Sequence, residues 1–257
     1  MTLSFEVENE NGIEVIELNI NSLPNTIRLR QFVDVNILVN EMSENVRALI
    51  NDPEAFKIAP DADVIAYYRF CLEFLSILSD TDMDTLAHLK ISGENGFELL
   101  NVINTIFSNI QEYEPRERKE FNFKGQRYLV PHTAVTVFGK KLGAETTVIQ
   151  NILAFELERV YEQKDADKNP IYKDGRYHSI IGVMACLCYE VLEDGKLDFM
   201  PINDLERDHY MARKIKTFSD VTMDIALDVD FFLLTSNPTL GNILNFVTHL
   251  RAKNPPA

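Results

Sequence analysis

Residues Phe121 to Tyr161 read FNFKGQRYLVPHTAVTVFGKKLGAETTVIQNILAFELERVY. The stretch holds two short alternating segments, a proline and a long apolar-striped run. Phe121 and Phe123, then Tyr128 and Val130, flank Lys124-Gly125-Gln126. That is the grammar of a tight hairpin, because glycine supplies the positive φ that strand-twist-matched turns require. Pro131 ends it. Val148, Ile152, Phe155, Leu157 and Val160 then supply helical faces, with Gly139 and Gly143 weakening the entry, so the helix proper is expected from about Ala144 to Tyr161.

A looser version of this sentence stands near the N-terminus. Leu3, Phe5 and Val7 alternate with polar residues. So do Ile13 and Val15 and, after a slip at Ile16, Leu18 and Ile20. Asn11-Gly12 between the runs predicts a hairpin turn joining strands at about 2–8 and 13–20. Pro24 follows, with Asn25 or Thr26 as a cap for a helix over about 28–50, breakable near Glu41–Ser43 and stopped by Asp52-Pro53. Both passages share a proline, a threonine and a phenylalanine in order: Pro24, Thr26, Phe32 and Pro131, Thr133, Phe138.

Working outward, apolar spacing predicts helices over about 61–79 and 97–113, with a shorter one ending near Lys90. Further helices are expected at 177–192, at 204–216 capped by Asn203 or Asp204, from Ser219-Asp220 to Leu234, and over 239–253. Ser92 to Gly96 reads as a loop. Glu112 to Glu120, EYEPRERKE, is the most polar stretch of the middle. It divides the chain into 1–115 and 116–257, each a hairpin followed by helices. The expected fold class is α+β, predominantly α-helical: a helical bundle-like core with two short β-hairpins.

The chain has 257 residues, enough to bury a core, and 46% of them are hydrophobic. Net charge is −15. Such a surface repels phosphate backbones and anionic lipid, so neither direct nucleic-acid binding nor membrane association is expected. No run approaches a membrane span. Three cysteines, Cys71, Cys186 and Cys188, sit in apolar surroundings and read as buried thiols of a reducing cytoplasm. The opening MTLSFEVENENG lacks the basic and apolar regions of a signal peptide.

Chemistry-bearing patterns are sparse. Asp165, Asp167 and Asn169 alternate as the first ligands of a calcium loop would, but Pro170 takes the place of the turn glycine and Arg176 that of the bidentate glutamate. A solvated loop is the simpler reading. His88, His132, His178, His209 and His249 include no pair at the spacing that puts two ligands on one helix face. Cys186-x-Cys188 lies in IIGVMACLCYEV and lacks the two-residue spacing of redox or zinc sites. No phosphate loop, nucleophile elbow or dinucleotide fingerprint is present. The cationic groups Arg213, Lys214, Lys216 and Arg116, Arg118, Lys119 are interleaved with acids and read as solvated surface. Carboxylates such as Glu156, Glu158, Asp220, Asp224, Asp228 and Asp230 suggest no acid–base pair. No catalytic, cofactor-binding or metal-binding residue is assigned, and no cofactor is expected.

Phe121, Phe123, Gly125, Tyr128 and Pro131, then Thr136 and Phe138, Glu156 and the later apolar helix together resemble a pattern in virion and assembly proteins of tailed bacteriophages. The resemblance extends to small acidic structural, capsid-cargo or tail-assembly proteins of large phages, including the crAss-like group. It covers about seventy residues. Gly139-Lys140-Lys141 stands where such proteins carry an acid. The resemblance implies a non-enzymatic protein, partnered by other phage structural proteins or by itself, made in host cytoplasm and then carried in the virion. Two other expectations follow from the residues. One is a cytoplasmic small-molecule enzyme or regulator whose site gathers His132, His178, Tyr177 and Asp174 from loops and helix entries. The other is an acidic mimic of nucleic acid.

Overall fold

The computed structural model describes residues 1–9, 12–91, 93–131, 150, 154, 163 and 175–236, with side chains at 8, 9, 12, 53, 93–97, 175–178 and 234–236 outside the description. The fold is α+β and predominantly helical. Among the described residues there are eight α-helices and two three-stranded antiparallel sheets. The chain forms two compact units, Met1–Tyr113 and Glu114–Ala257.

The first unit begins with β1 (Thr2–Asn9) and β2 (Gly12–Asn19). Their register runs without interruption from Thr2 opposite Asn19 to Asn9 opposite Gly12. The expected slip at Ile16 is therefore absent, and Gly12 is a paired strand residue. An unbroken period of two cannot send both apolar sets of β2 inward. Leu18 and Ile20 join Phe5 and Val7 in the core, while Ile13 and Val15 are left 63% and 61% exposed.

The expected long helix is two helices, α1 (Leu29–Glu41) and α2 (Glu44–Asn51). Ser43 makes the break by accepting the Val46 N–H at 3.2 Å. The start of α1 is organised by Gln31, and neither Asn25 nor Thr26 caps it. The buried Gln31 Oε1 accepts the Arg28 N–H at 3.0 Å, and its Nε2 donates to the Ile77 carbonyl at 2.7 Å. A short 3₁₀ turn (Pro53–Lys57) leads to α3 (Asp61–Ser79). Phe70, Phe74 and Leu78 of α3 are buried. Asp80 ends α3 with φ 56° and forms an ion pair with Arg28.

The helix expected to reach Lys90 is only α4 (Met83–Leu86). A two-residue strand β3 (Leu89–Lys90) follows and pairs with β1, giving the order β2-β1-β3. The loop read at Ser92–Gly96 is largely the first turn of α5 (Gly93–Gln111).

In the second unit the predicted hairpin is β4 (Glu120–Phe123) and β5 (Gln126–Leu129). Lys124 and Gly125 have φ 50° and 77°, the two positive values of a type I′ turn. Phe121 and Tyr128 stack across the pair at 5.2 Å, and both meet the ring of Phe218. The helix expected between about 144 and 161 lies outside the described residues except at Gln150 and Ala154, which are helical and buried. Helix α6 (Gly175–Leu187) takes most of the apolar run near residue 180. Its last residues, read as helix, include β6 (Tyr189–Glu190), which pairs with β5. Then come α7 (Asp204–Phe218) and α8 (Met223–Ser236). Asn203 caps α7 as its position predicts, accepting from Leu205 and Glu206. Ser219 closes α7 and does not cap α8, which starts after Thr222. The helix read over 239–253 lies outside the described residues.

Candidate functional site

The most chemically unusual place in the second unit is the interior face of α7. Tyr210, Lys214 and Phe218 recur every four residues and so share one face. Lys214 is 2% exposed, which corrects the surface reading of this cationic group. Its Nζ donates to the Cys188 carbonyl at 3.1 Å. It also stands 5.1 to 5.7 Å from the ring centroids of Tyr210, Tyr128 and Phe218, so three π faces share the cation. Burial pushes the lysine below its ordinary value, while Asp198, Cys188 and Glu190 pull it back upward.

The neighbouring Arg213 points outward. Its guanidinium meets Asp198 at 2.6 Å and Glu190 at 3.8 Å, and lies over Tyr210. Tyr210 donates its hydroxyl hydrogen to the Asp198 carbonyl at 3.0 Å. Burial raises the Tyr128 hydroxyl to about 12 and pushes that of Tyr210 up as well. Lys214 thereby fastens α7 to Cys188, the residue that leads into β6.

A second polar knot lies beside it in sequence. The Tyr189 hydroxyl donates to Gln150 Oε1 at 2.8 Å, and Gln150 Nε2 donates to the Cys186 carbonyl at 2.9 Å. Cys186 and Cys188 are buried thiols. Burial pushes each up to about 12, and Cys71 likewise, so the protonated form dominates at neutral pH.

The third arrangement fastens the segment that opens the unit. Asp220, Asp224 and Asp228 are again four apart. Asp228 is 1% exposed, accepts the Arg116 N–H at 2.8 Å, and takes Arg118 Nε and Nη2 at 2.9 and 2.7 Å. Asp224 adds a carboxylate 3.5 Å from Arg118. Lys124, at the hairpin tip, reaches Asp220 at 2.7 Å. Thus Arg118, expected on a solvated surface, is half of a largely buried bridge. An open depression of about 400 Å³ beside it is lined by Arg116 to Glu120 and Asp228.

The side chains considered for an enzyme site, His132, Asp174, Tyr177 and His178, lie outside those described. Tyr177 and His178 lie in the first turn of α6, with their side chains outside the description. His132, Asp174, His249, Glu156, Glu158 and the calcium-like Asp165, Asp167, Asn169 fall outside the described residues altogether. His88 and His209 are exposed on different units. Among the described residues, no group of three metal-ligating side chains is placed to hold an ion, and no helix is long and apolar enough to cross a membrane.

Exposed apolar side chains mark the remaining candidates. Phe199, Ile202 and Leu205 protrude around the entry to α7, with Ile202 82% exposed. In the first unit Ile13 and Val15 protrude from β2. There, Leu38, Met42, Val46, Ile65 and Phe70 line a shallow groove of about 400 Å³ between α1, α2 and α3. Comparison of the chain with protein-family models, curated proteins and solved structures returned no match.

Proposed function

We propose that the chain is a non-enzymatic structural or virion-associated protein of a tailed bacteriophage, a capsid cargo or tail-assembly factor, acting through protein–protein contacts. The observation that carries this reading is the apolar trio Phe199, Ile202 and Leu205, exposed around the start of α7. Large apolar side chains grouped on a surface otherwise rich in acids mark a place where another protein excludes water. The aromatic hairpin of Phe121, Phe123 and Tyr128 adds the resemblance that points to phage particles. The partner is another phage structural protein or a second copy, met in host cytoplasm and carried into the virion.

Mass spectrometry of purified virions and of complexes isolated from infected cells tests this directly. The chain should be found in at least one of them at a fixed ratio to known structural proteins. Its absence from both overturns the reading.

A further inference from the structure

The free edge of the first sheet carries an inference that rests on the protein–protein role and specifies one kind of partner. Met1 and Ile20 exchange backbone hydrogen bonds: the Ile20 N–H reaches the Met1 carbonyl at 2.7 Å, and the Met1 ammonium reaches the Ile20 carbonyl at 3.1 Å. Mutually bonded pairs alternate along an antiparallel ladder. In the unbroken register, Leu18, Ile16 and Glu14 therefore turn their backbone groups toward β1. Ile13, Val15, Glu17 and Asn19 turn theirs to the far side, where the sheet ends at β2. The same four residues have exposed side chains.

This edge lacks most of the usual protections. It is eight residues long and contains no proline, lysine or arginine and no bulge. Its charges are the two exposed glutamates Glu14 and Glu17, which turn away acidic strands and leave it open to basic ones. The terminal strands β3 and β6 have two residues each, and β4 has four. Only β2, among the described strands, offers a long unguarded edge with β-branched side chains beside its open amides.

We propose that β2 accepts an added strand from a second protein, an extended segment whose one face carries β-branched apolar residues with a lysine or arginine at its end. Main-chain bonds to Ile13, Val15 and Glu17 supply the affinity, and the side chains on the open face supply the choice. Charge decides between possible occupants. A second copy would bring the same Glu17 and the same net −15 to the contact. A basic strand meets an acidic residue at Glu17 and apolar residues at Ile13 and Val15.

The test uses the full chain and a defined probe: an acetylated, amidated octapeptide alternating valine and threonine, with a lysine at each end. Two controls are its glutamate-ended analogue and a version N-methylated at alternate amides. Amide hydrogen exchange is followed by NMR at Ile13, Val15, Glu17 and Asn19, with Ile16 and Leu18 as already bonded references. The lysine peptide should slow exchange at the open positions by roughly tenfold or more, the glutamate peptide far less, and the N-methylated peptide not at all. Val15→Pro removes an outward N–H without touching the β1 ladder and should abolish protection. Val15→Lys, which keeps the backbone donor, should weaken the lysine peptide and leave the fold intact. No protection by the lysine peptide at millimolar concentration overturns the proposal. So does equal protection by the glutamate peptide. Protection that rises with protein concentration alone, alongside a sedimenting dimer, assigns the edge to a second copy and also overturns it. In each of these cases the presence of the chain in virions still decides the broader role separately.

Discussion

Each unit contains a hairpin completed by a two-residue strand that arrives after intervening chain, yet the completing strand joins opposite sides. In the first unit β3 pairs with the first hairpin strand; in the second β6 pairs with the second. The hairpin–proline–helix echo in the sequence is therefore shared local grammar with different sheet connections. The interiors differ as well. Among the described residues, the first unit buries Ser22 and Gln31 as its polar side chains, whereas the second buries Gln150, Ser179, Lys214 and Asp228. Each interior packs around a buried amide, Gln31 or Gln150, but among the described residues only the second also encloses charges, Lys214 and Asp228. The difference predicts distinct points of failure.

The largest effect is expected where packing alone acts. Phe74 is fully buried and stacks on Phe70 with centroids 6.1 Å apart. Phe74→Ala should cost about 3–5 kcal/mol in urea denaturation, with amide exchange accelerated most in α1 and α3. A cost below about 1 kcal/mol would mean that this interior repacks freely.

In the second unit, Arg118→Ala leaves Asp228 buried with its guanidinium partner removed. Arg118 is itself partly exposed, so the expected loss is about 2–3 kcal/mol, below that of a fully enclosed pair. The double variant Arg118→Met with Asp228→Leu should recover most of it. If the double variant is as unstable as the single one, the carboxylate was contributing through other contacts.

Alkali separates the two interiors further. A thiol raised to about 12 when folded, against an ordinary 9, holds its proton longer folded than unfolded. Its stabilising contribution is full below pH 9 and is lost as pH rises toward 12. Lys214 has the opposite sign, because its folded value is lowered; in the window below 10.5 the unfolded chain binds more protons, and stability rises with pH. Approaching pH 10, the two thiols of the second unit, joined by the raised hydroxyls of Tyr128 and Tyr210, make stability fall with pH, and Lys214 offsets part of that fall. Lys214→Met removes the offset and should steepen the fall, while shifting neutral-pH stability by only about 1 kcal/mol. Denaturant midpoints across pH 8–10 check both the slope and the offset.

The smallest effect belongs to the open edge. Val15→Lys should change stability by less than about 0.5 kcal/mol, because the side chain already faces water. A larger loss in urea denaturation would show that something covers β2.

Local signals were legible where one residue performs one backbone task. Lys124-Gly125 makes its turn, Ser43 breaks the first long helix, and Asn203 caps α7. Strands β3 and β6 were not legible, since two residues carry no periodicity and each is chosen by a partner distant in sequence. The fate of Ile13 and Val15 turned on a register that alternation alone left ambiguous. Lys214 was missed because ARKIK reads as a charged face; the overlooked signal was its place midway between Tyr210 and Phe218 on an apolar stripe. Asp220, Asp224 and Asp228 share that four-residue spacing, but their basic partners come from about a hundred residues earlier.

The late arrival of the completing strands matters during synthesis. About 80 residues separate the end of β1 from β3, and about 60 separate the end of β5 from β6. At translation rates of about 5–20 residues per second, β1 waits roughly 4–16 s for its second neighbour and β5 roughly 3–12 s. For that interval each nascent hairpin has two unpaired edges. The growing chain is therefore most exposed to mispairing with other nascent copies before residues 90 and 190 emerge.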